Sequence, residues 1–300
     1  MRTALGFLGR HARLALPIGV FAGILLPDLA ALLRPLLTPA VIGTLTAALM
    51  RLDWERLAHH ATRPAPALLL SSWQLVLSPA LAWVGALAFG LPPDLRLALI
   101  LQAAAPPIGS AAVFALILGL DAPRVALGTV LTTLLLPLTL TAMIALLPEI
   151  GIRVDLGAFF VRVMLLVAAP FALAWVLRRT LGRARIARND ELLGGLNVLL
   201  LVVFAIGVMD GVTARLFEDP RWMGGLFALS CGAALVLHVA AWFAFRSAGA
   251  QAAWTMSLMS GNRNMGLMLA ITAGSAGETF ALYVGVAQIP MYFAPLLLMP

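Results

Sequence analysis

The sequence predicts an all-α integral membrane protein of ten transmembrane helices, built as two inverted five-helix repeats whose fourth and ninth helices are broken. Three observations predict it. Of the 300 residues, 62% are apolar and 11% charged, with a mean hydropathy of +1.01, and a soluble domain of this length needs a charged exterior that this chain does not have. Breaks rich in Pro, Gly or charge divide the chain into about ten segments, each near the 20 residues that hydrocarbon requires. Two of those segments are interrupted at matching places, by Pro106-Pro107-Ile108-Gly109-Ser110 and by Ser260-Gly261-Asn262-Arg263-Asn264.

In order, the spans fall at about 12–30, 34–50, 66–89, 95–119, 122–147, 158–180, 191–212, 222–245, 249–273 and 277–299. Arg2, Arg10 and Arg13 before the first resemble the charged start of a signal peptide, but no small-residue cleavage site precedes the second span, so the segment is kept as a helix. Arg34-Pro35 opens the second span, and Gly90-Leu91-Pro92-Pro93-Asp94 separates the third from the fourth. Gly119-Leu120-Asp121 separates the fourth from the fifth, and Glu149 to Asp155 marks the midpoint. Arg178 to Arg188 divides the sixth from the seventh, Glu218-Asp219 the seventh from the eighth, and Arg246 the eighth from the ninth. Five spans precede the midpoint and five follow, so residues 1–150 and 151–300 form repeats that enter the bilayer from opposite sides.

Charge sets the orientation. With the N-terminus in the cytoplasm, Arg51, Arg56, Arg63, Arg124, Arg178, Arg179, Arg183, Arg185, Arg188 and Arg246 share that side, while Asp28, Asp94, Glu149, Asp155, Glu218, Asp219 and Glu278 fall opposite. Both termini are then cytoplasmic. All 20 basic residues are Arg, the bias of a GC-rich bacterial genome more than a functional choice, and a bacterial inner membrane is the expected location. The net charge of +7 follows from topology and does not call for nucleic acid. Cys231 is the single cysteine, so neither an internal disulfide nor a cysteine metal cluster is available.

Unwound backbone at mid-membrane survives only where protein or a water-filled cavity satisfies its polar groups, so a paired break implies a lined cavity. Pro106 and Pro107 remove two donors and Gly109 relaxes the turn before Ser110. Arg263 is the most informative residue, because a charge inside a span costs roughly 2.5–3.5 kcal/mol even on the lenient insertion scale and normally faces a cavity or a partner. With Gly261, Asn262 and Asn264 it makes a donor-rich cluster suited to a carboxylate or sulfonate. A small organic anion is therefore the expected solute, and lipid the other partner. Gln74 and His238 occupy equivalent spans and are read first as core hydrogen-bonding groups. Thr132, Thr133, Thr139 and Thr141 are expected to bond to their own helix carbonyls. No carboxylate falls clearly at mid-membrane, which leaves His238 as the titratable candidate for proton coupling.

At these breaks the chain resembles the bile acid:sodium symporter family. Leu33-Arg34-Pro35 through Arg51-Leu52-Asp53, Gly90 to Asp94, and Ala105-Pro106-Pro107 to Gly119-Leu120-Asp121 follow the family's order, and Gly261-Asn262-Arg263-Asn264-Met265-Gly266-Leu267 resembles its GxQNxGL signature. The resemblance implies a panel of spans 1, 2, 6 and 7 and a core of spans 3–5 and 8–10. It also implies organic-anion substrates, among them bile acids, pantothenate and 2-keto acids, and two sodium ions beside the crossing. Met259 stands at the family's Glu position and Arg263 at its Gln position. Ala111 and Ala112 replace a Ser-Asn pair and Gly128 a Ser, while Gln74 and Thr132 remain. A hard cation needs several oxygen ligands, so this remnant predicts a carrier without sodium and without any cofactor, with the Arg263 guanidinium as a tethered cation. Two other readings stand beside it: a non-transporting sensor or scaffold of the same fold, and a carrier related to auxin efflux proteins. No HExxH pair, paired Asp or GxSxG elbow supports an enzyme.

Overall fold

Proline, glycine and short polar side chains decide where the helices begin and end. The computed structural model describes residues 2–55, 64–147 and 154–298, and among them every regular element is helical. Arg56, Arg63 and Glu149, which entered the charge and midpoint arguments, lie outside the described residues, as do the side chains of Arg2, Arg10 and Arg13. Asp121, Asp155, Asp219 and Asn264 each accept from the backbone N–H three residues on, at 3.0, 2.7, 3.0 and 3.0 Å. The acidic residues that sequence reading placed in loops thus cap helix starts.

The helices are α1 (Arg2–Arg10), α2 (Ala12–Leu25), α3 (Pro27–Leu33), α4 (Leu37–Arg51), α5 (Pro64–Ser72), α6 (Ser78–Ala88), α7 (Pro93–Ala104), α8 (Ala111–Ile117) and α9 (Ala122–Leu146). After the midpoint come α10 (Leu156–Leu181), α11 (Arg183–Arg188), α12 (Asp190–Gly207), α13 (Val212–Glu218), α14 (Pro220–Phe245), α15 (Ala250–Gly261), α16 (Met265–Thr272) and α17 (Gly277–Leu298). Among the described residues six continuous runs are long and apolar enough to cross a bilayer: Pro27–Arg51, Leu68–Ala88, Ala122–Leu146, Leu156–Leu181, Asp190–Glu218 and Pro220–Ala248. Large apolar side chains such as Leu25, Phe89, Leu146 and Phe217 are more than 70% exposed, as a protein solvated by lipid requires. The chain is a multi-pass membrane protein.

Three boundaries differ from the expected ones. The first turn falls at Leu26-Pro27, not between residues 30 and 34, because proline drives the residue before it out of the helical region; Leu26 has φ −123° and ψ 71°. The Arg34-Pro35 pair expected to open a span makes only a single 3₁₀ turn inside a run that continues from α3 into α4. The seventh span continues through a turn at Val208–Gly211 to Glu218, so Asp210 lies inside it rather than near its end. Within the third span, Trp73–Leu77 forms a π-helical turn. Pro79 has no N–H to give the carbonyl of Leu75, and the ladder widens just before it.

The described residues form two compact units, one drawn from Met1–Arg51, Ala168–Cys231 and Ala281–Pro300, the other from Leu52–Val167 and Gly232–Phe280. At the centre of the first is α12. Helices α1 and α2 run alongside it, with Gly9 on Gly195 and Gly19 on Ala205, and α4 runs antiparallel with Gly43 on Leu200. Small residues at these contacts let backbones approach where lipid supplies no hydrophobic drive. The Arg51 fork closes the end of that pair on Asp190, at 2.7 and 2.9 Å. In the second unit, α6 and α7 form one antiparallel hairpin and α8 and α9 another, while α15 packs on α8 and α9 and α16 on α7.

Candidate functional site

Pro106 and Pro107 stop α7 because neither can donate to the ladder, and Ala105 turns extended (φ −64°, ψ 142°). Asn262 ends α15 in the same way, at φ −101° and ψ 87°. The two interruptions then satisfy each other. Ile108 N donates to Asn262 O at 3.0 Å and Asn264 N to Pro106 O at 2.7 Å, with Pro107 and Arg263 paired between them in a single antiparallel bridge. These two bonds answer groups that hydrocarbon would leave unmatched.

Arg263 is 2% exposed. Its Nε donates to Ser260 O at 2.6 Å, in the last turn of α15, and one terminal nitrogen donates to Ala105 O at 2.8 Å, just past α7. The same nitrogen reaches Gln74 O in the π turn at 3.4 Å, while the other terminal nitrogen is buried with no partner among the described residues. A guanidinium therefore sits where two helix C-termini converge, the place where aligned carbonyls favour positive charge. Its bonds go to neutral backbone, and among the described residues no acidic side chain pairs with it.

Of the predicted residues, Gln74 lies beside that charge, with Ser260. Gln74 Nε2 and Trp73 Nε1 both donate to Ser260 Oγ, at 3.2 and 2.9 Å, and Gln74 Oε1 is buried without a partner among the described residues. Sequence reading missed Trp73 and Ser260 as a pair; Pro79, which imposes the π turn, was the available signal. The tip of Met259 packs directly on Gly128, together with that of Leu70, so a methyl group there would have to push these flexible ends aside. Thr132 directs its hydroxyl to its own helix, donating to Gly128 O at 2.6 Å. Ala111 is fully buried and Ala112 partly so, whereas Gly109 and Ser110 are exposed. Gly261, Asn262 and Asn264 are half-buried, and Asn264 uses its side-chain oxygen to cap α16.

His238 lies flat against Gly261, so closely that only glycine fits. Its Nδ1 is 2.8 Å from Ala234 O and its Nε2 is 3.4 Å from Asn262 Nδ2. Nδ1 thus carries the proton and donates, and Nε2 accepts from the amide. That amide also donates to Leu258 O at 2.9 Å, so the imidazole buttresses the second break.

The Sodium Bile acid symporter family matches residues 38–213, more than half of the 300. The chain belongs to this family. Bile acid symporters are membrane transporters, and the apolar runs described above place this member in the bilayer with them. The match covers Pro106 to Ser110, Gln74 and Thr132, and ends before Gly261 to Leu267. The buried Arg263 thus lies beyond the matched segment. No curated protein matches the chain.

Proposed function

We propose that this member of the bile acid symporter family is an alternating-access carrier of a small organic anion that works without sodium. In this reading ten spans form two inverted repeats, spans 1, 2, 6 and 7 make a panel and spans 3–5 and 8–10 a core, and the interrupted helices form the solute-binding crossing. One observation carries the sodium-independent part: a buried guanidinium holds the carbonyls of Ser260, Ala105 and Gln74. Those are the oxygens a bound cation would seek. At three of the positions where the resemblance implies sodium ligands, the Met259 thioether, the Ala111 methyl and the bare Gly128 offer a hard cation nothing. Arg263 then fixes the crossing with a charge that never leaves, and sodium drops out of the transport energetics. Gly109, Ser110, Asn262 and Asn264, the exposed and half-buried fringe, would meet the solute.

The test is uptake of labelled cholate, pantothenate and pyruvate into proteoliposomes with and without a sodium gradient, for wild type and Arg263→Gln. Equal wild-type uptake in both conditions, with loss of uptake in the variant, is the expected result. A wild-type requirement for sodium would overturn the tethered-cation reading.

A further inference from the structure

The end of α10 carries a concentration of charge that the crossing does not use. Five arginines, Arg178, Arg179, Arg183, Arg185 and Arg188, fall within a stretch that holds no acidic side chain. Helix α10 has 26 residues, about 39 Å at 1.5 Å per residue, so it overhangs a 30 Å hydrocarbon layer by only about 4–5 Å at each end. That overhang puts Arg178 and Arg179 at the boundary between acyl chains and headgroups. Trp175, 61% exposed, lies one turn deeper, and the Arg179 guanidinium stands over its ring, 5.5 Å from the centroid. A tryptophan with a cation on its face marks the headgroup level. Leu173, Val176 and Leu177 are exposed on the same stretch of the span, and there the covering solvent is acyl chain.

The backbone that carries these charges is tied down. Gly182 turns the chain at φ 75°, and the buried Ile186 lies on α11, which packs against α12 and α4. Arg178 donates to Met50 O in the last turn of α4, and the Arg51 fork occupies both oxygens of Asp190. Two of the local charges thus serve the fold. Arg179, Arg185 and Arg188 do not: all three are exposed, and among the described residues none has a carboxylate partner. Guanidinium groups at headgroup level, beside a face coated by acyl chains, match a molecule with a phosphate at the head of its hydrocarbon chains. A zwitterionic phospholipid would bring an ammonium that the same arginines repel, whereas an anionic one brings its phosphate alone.

We propose that the turn from α10 into α11 is a binding site for an anionic phospholipid, whose phosphate meets Arg179 and the exposed arginines of α11 while its acyl chains lie along Leu173, Val176 and Leu177. The bound lipid ties α10 to α11 at the membrane surface, beside the bonds from Arg178 and Arg51 that tie α10 and α12 to α4. The site belongs wholly to the first unit. It requires neither a transported solute nor the crossing, so it stands or falls separately from the carrier reading.

The test is native mass spectrometry of the protein in detergent with equimolar phosphatidylglycerol and phosphatidylethanolamine of the same acyl chains, paired with thermal unfolding in each lipid. Wild type is expected to retain phosphatidylglycerol at least about ten-fold over phosphatidylethanolamine, since each arginine near an anionic surface is worth about five-fold in affinity. Its Tm should rise with phosphatidylglycerol alone. Combining Arg179→Gln, Arg185→Gln and Arg188→Gln should abolish both effects, and the same three positions changed to Lys should keep a reduced preference, because the charge persists without the fork. Should the triple Gln variant fail to fold, Arg179→Gln alone should lower the preference about five-fold. Arg215→Gln, which removes an arginine paired with Glu218 in the same unit, should change neither readout. Equal retention of the two lipids by wild type, an undiminished preference in the Gln variants, or an equal loss in Arg215→Gln overturns the site. A matching rise in Tm with glycerol 3-phosphate would overturn it as well, by making the turn a site for free phosphate and not for lipid.

Discussion

At the scale of single residues, Arg263 and His238 show how the surroundings decide a side chain's task. The guanidinium is held by carbonyls, so its removal leaves a cage of converging oxygens. Arg263→Ala is expected to abolish uptake, and millimolar guanidinium in the buffer to restore part of it by filling the same place; no rescue with the variant folded would speak against a structural cation. His238 packs on Gly261 and orients Asn262. Gly261→Ala would push the ring off the break at a cost of about 1–3 kcal/mol, the usual range for overpacking, visible as a lowered Tm in detergent. His238→Gln keeps an acceptor toward Asn262 but cannot titrate, so uptake should keep its wild-type pH profile. A flattened profile would return the proton-coupling role to His238. Sequence alone singled out both residues, because polar groups in apolar runs are conspicuous. It could not say that the Arg263 donors point at backbone, since that depends on which helix ends converge.

At the scale of elements, the decisive features are interruptions. Those at Pro106-Pro107 and Ser260 to Asn264 were legible, since proline and consecutive polar residues rule out a regular apolar helix. The π turn at Trp73–Leu77 was not, although its cause, Pro79, is in plain sight; proline in a membrane helix more often kinks than widens it. Pro79→Ala should restore regular α pairing, withdraw Gln74 O from Arg263 and rotate Trp73 away from Ser260 Oγ. A shift in tryptophan emission together with at least a ten-fold slower uptake is expected; unchanged uptake would make the bulge incidental. Asn264 offers a milder case: Asn264→Ala removes the α16 cap for about 1 kcal/mol, read as a small drop in Tm. The break at Val208–Gly211 escaped sequence reading because Asp210-Gly211 looks like the polar end of a span.

For the whole molecule, the arginines remain the guide to orientation. Single cysteines introduced at Arg185 and at Asp219 in a Cys231→Ser background should label from opposite faces of intact cells, Arg185 from within; labelling from one face would break the topology. What the sequence determined by itself is the solvent and the chain's division within it: the shortage of charge dictates lipid, and lipid dictates helices about as long as the bilayer is thick. It also determined where those helices fail, because proline and buried charge act locally. Only the tertiary structure decided what the failures are for. The bonds between Ile108 and Asn262, the Ala105 and Gln74 carbonyls on Arg263 and the pairing of Arg34 with Asp210 join residues more than a hundred positions apart. Such pairings are fixed by which helix faces pack together, and in a chain apolar on nearly every face no periodicity records that choice.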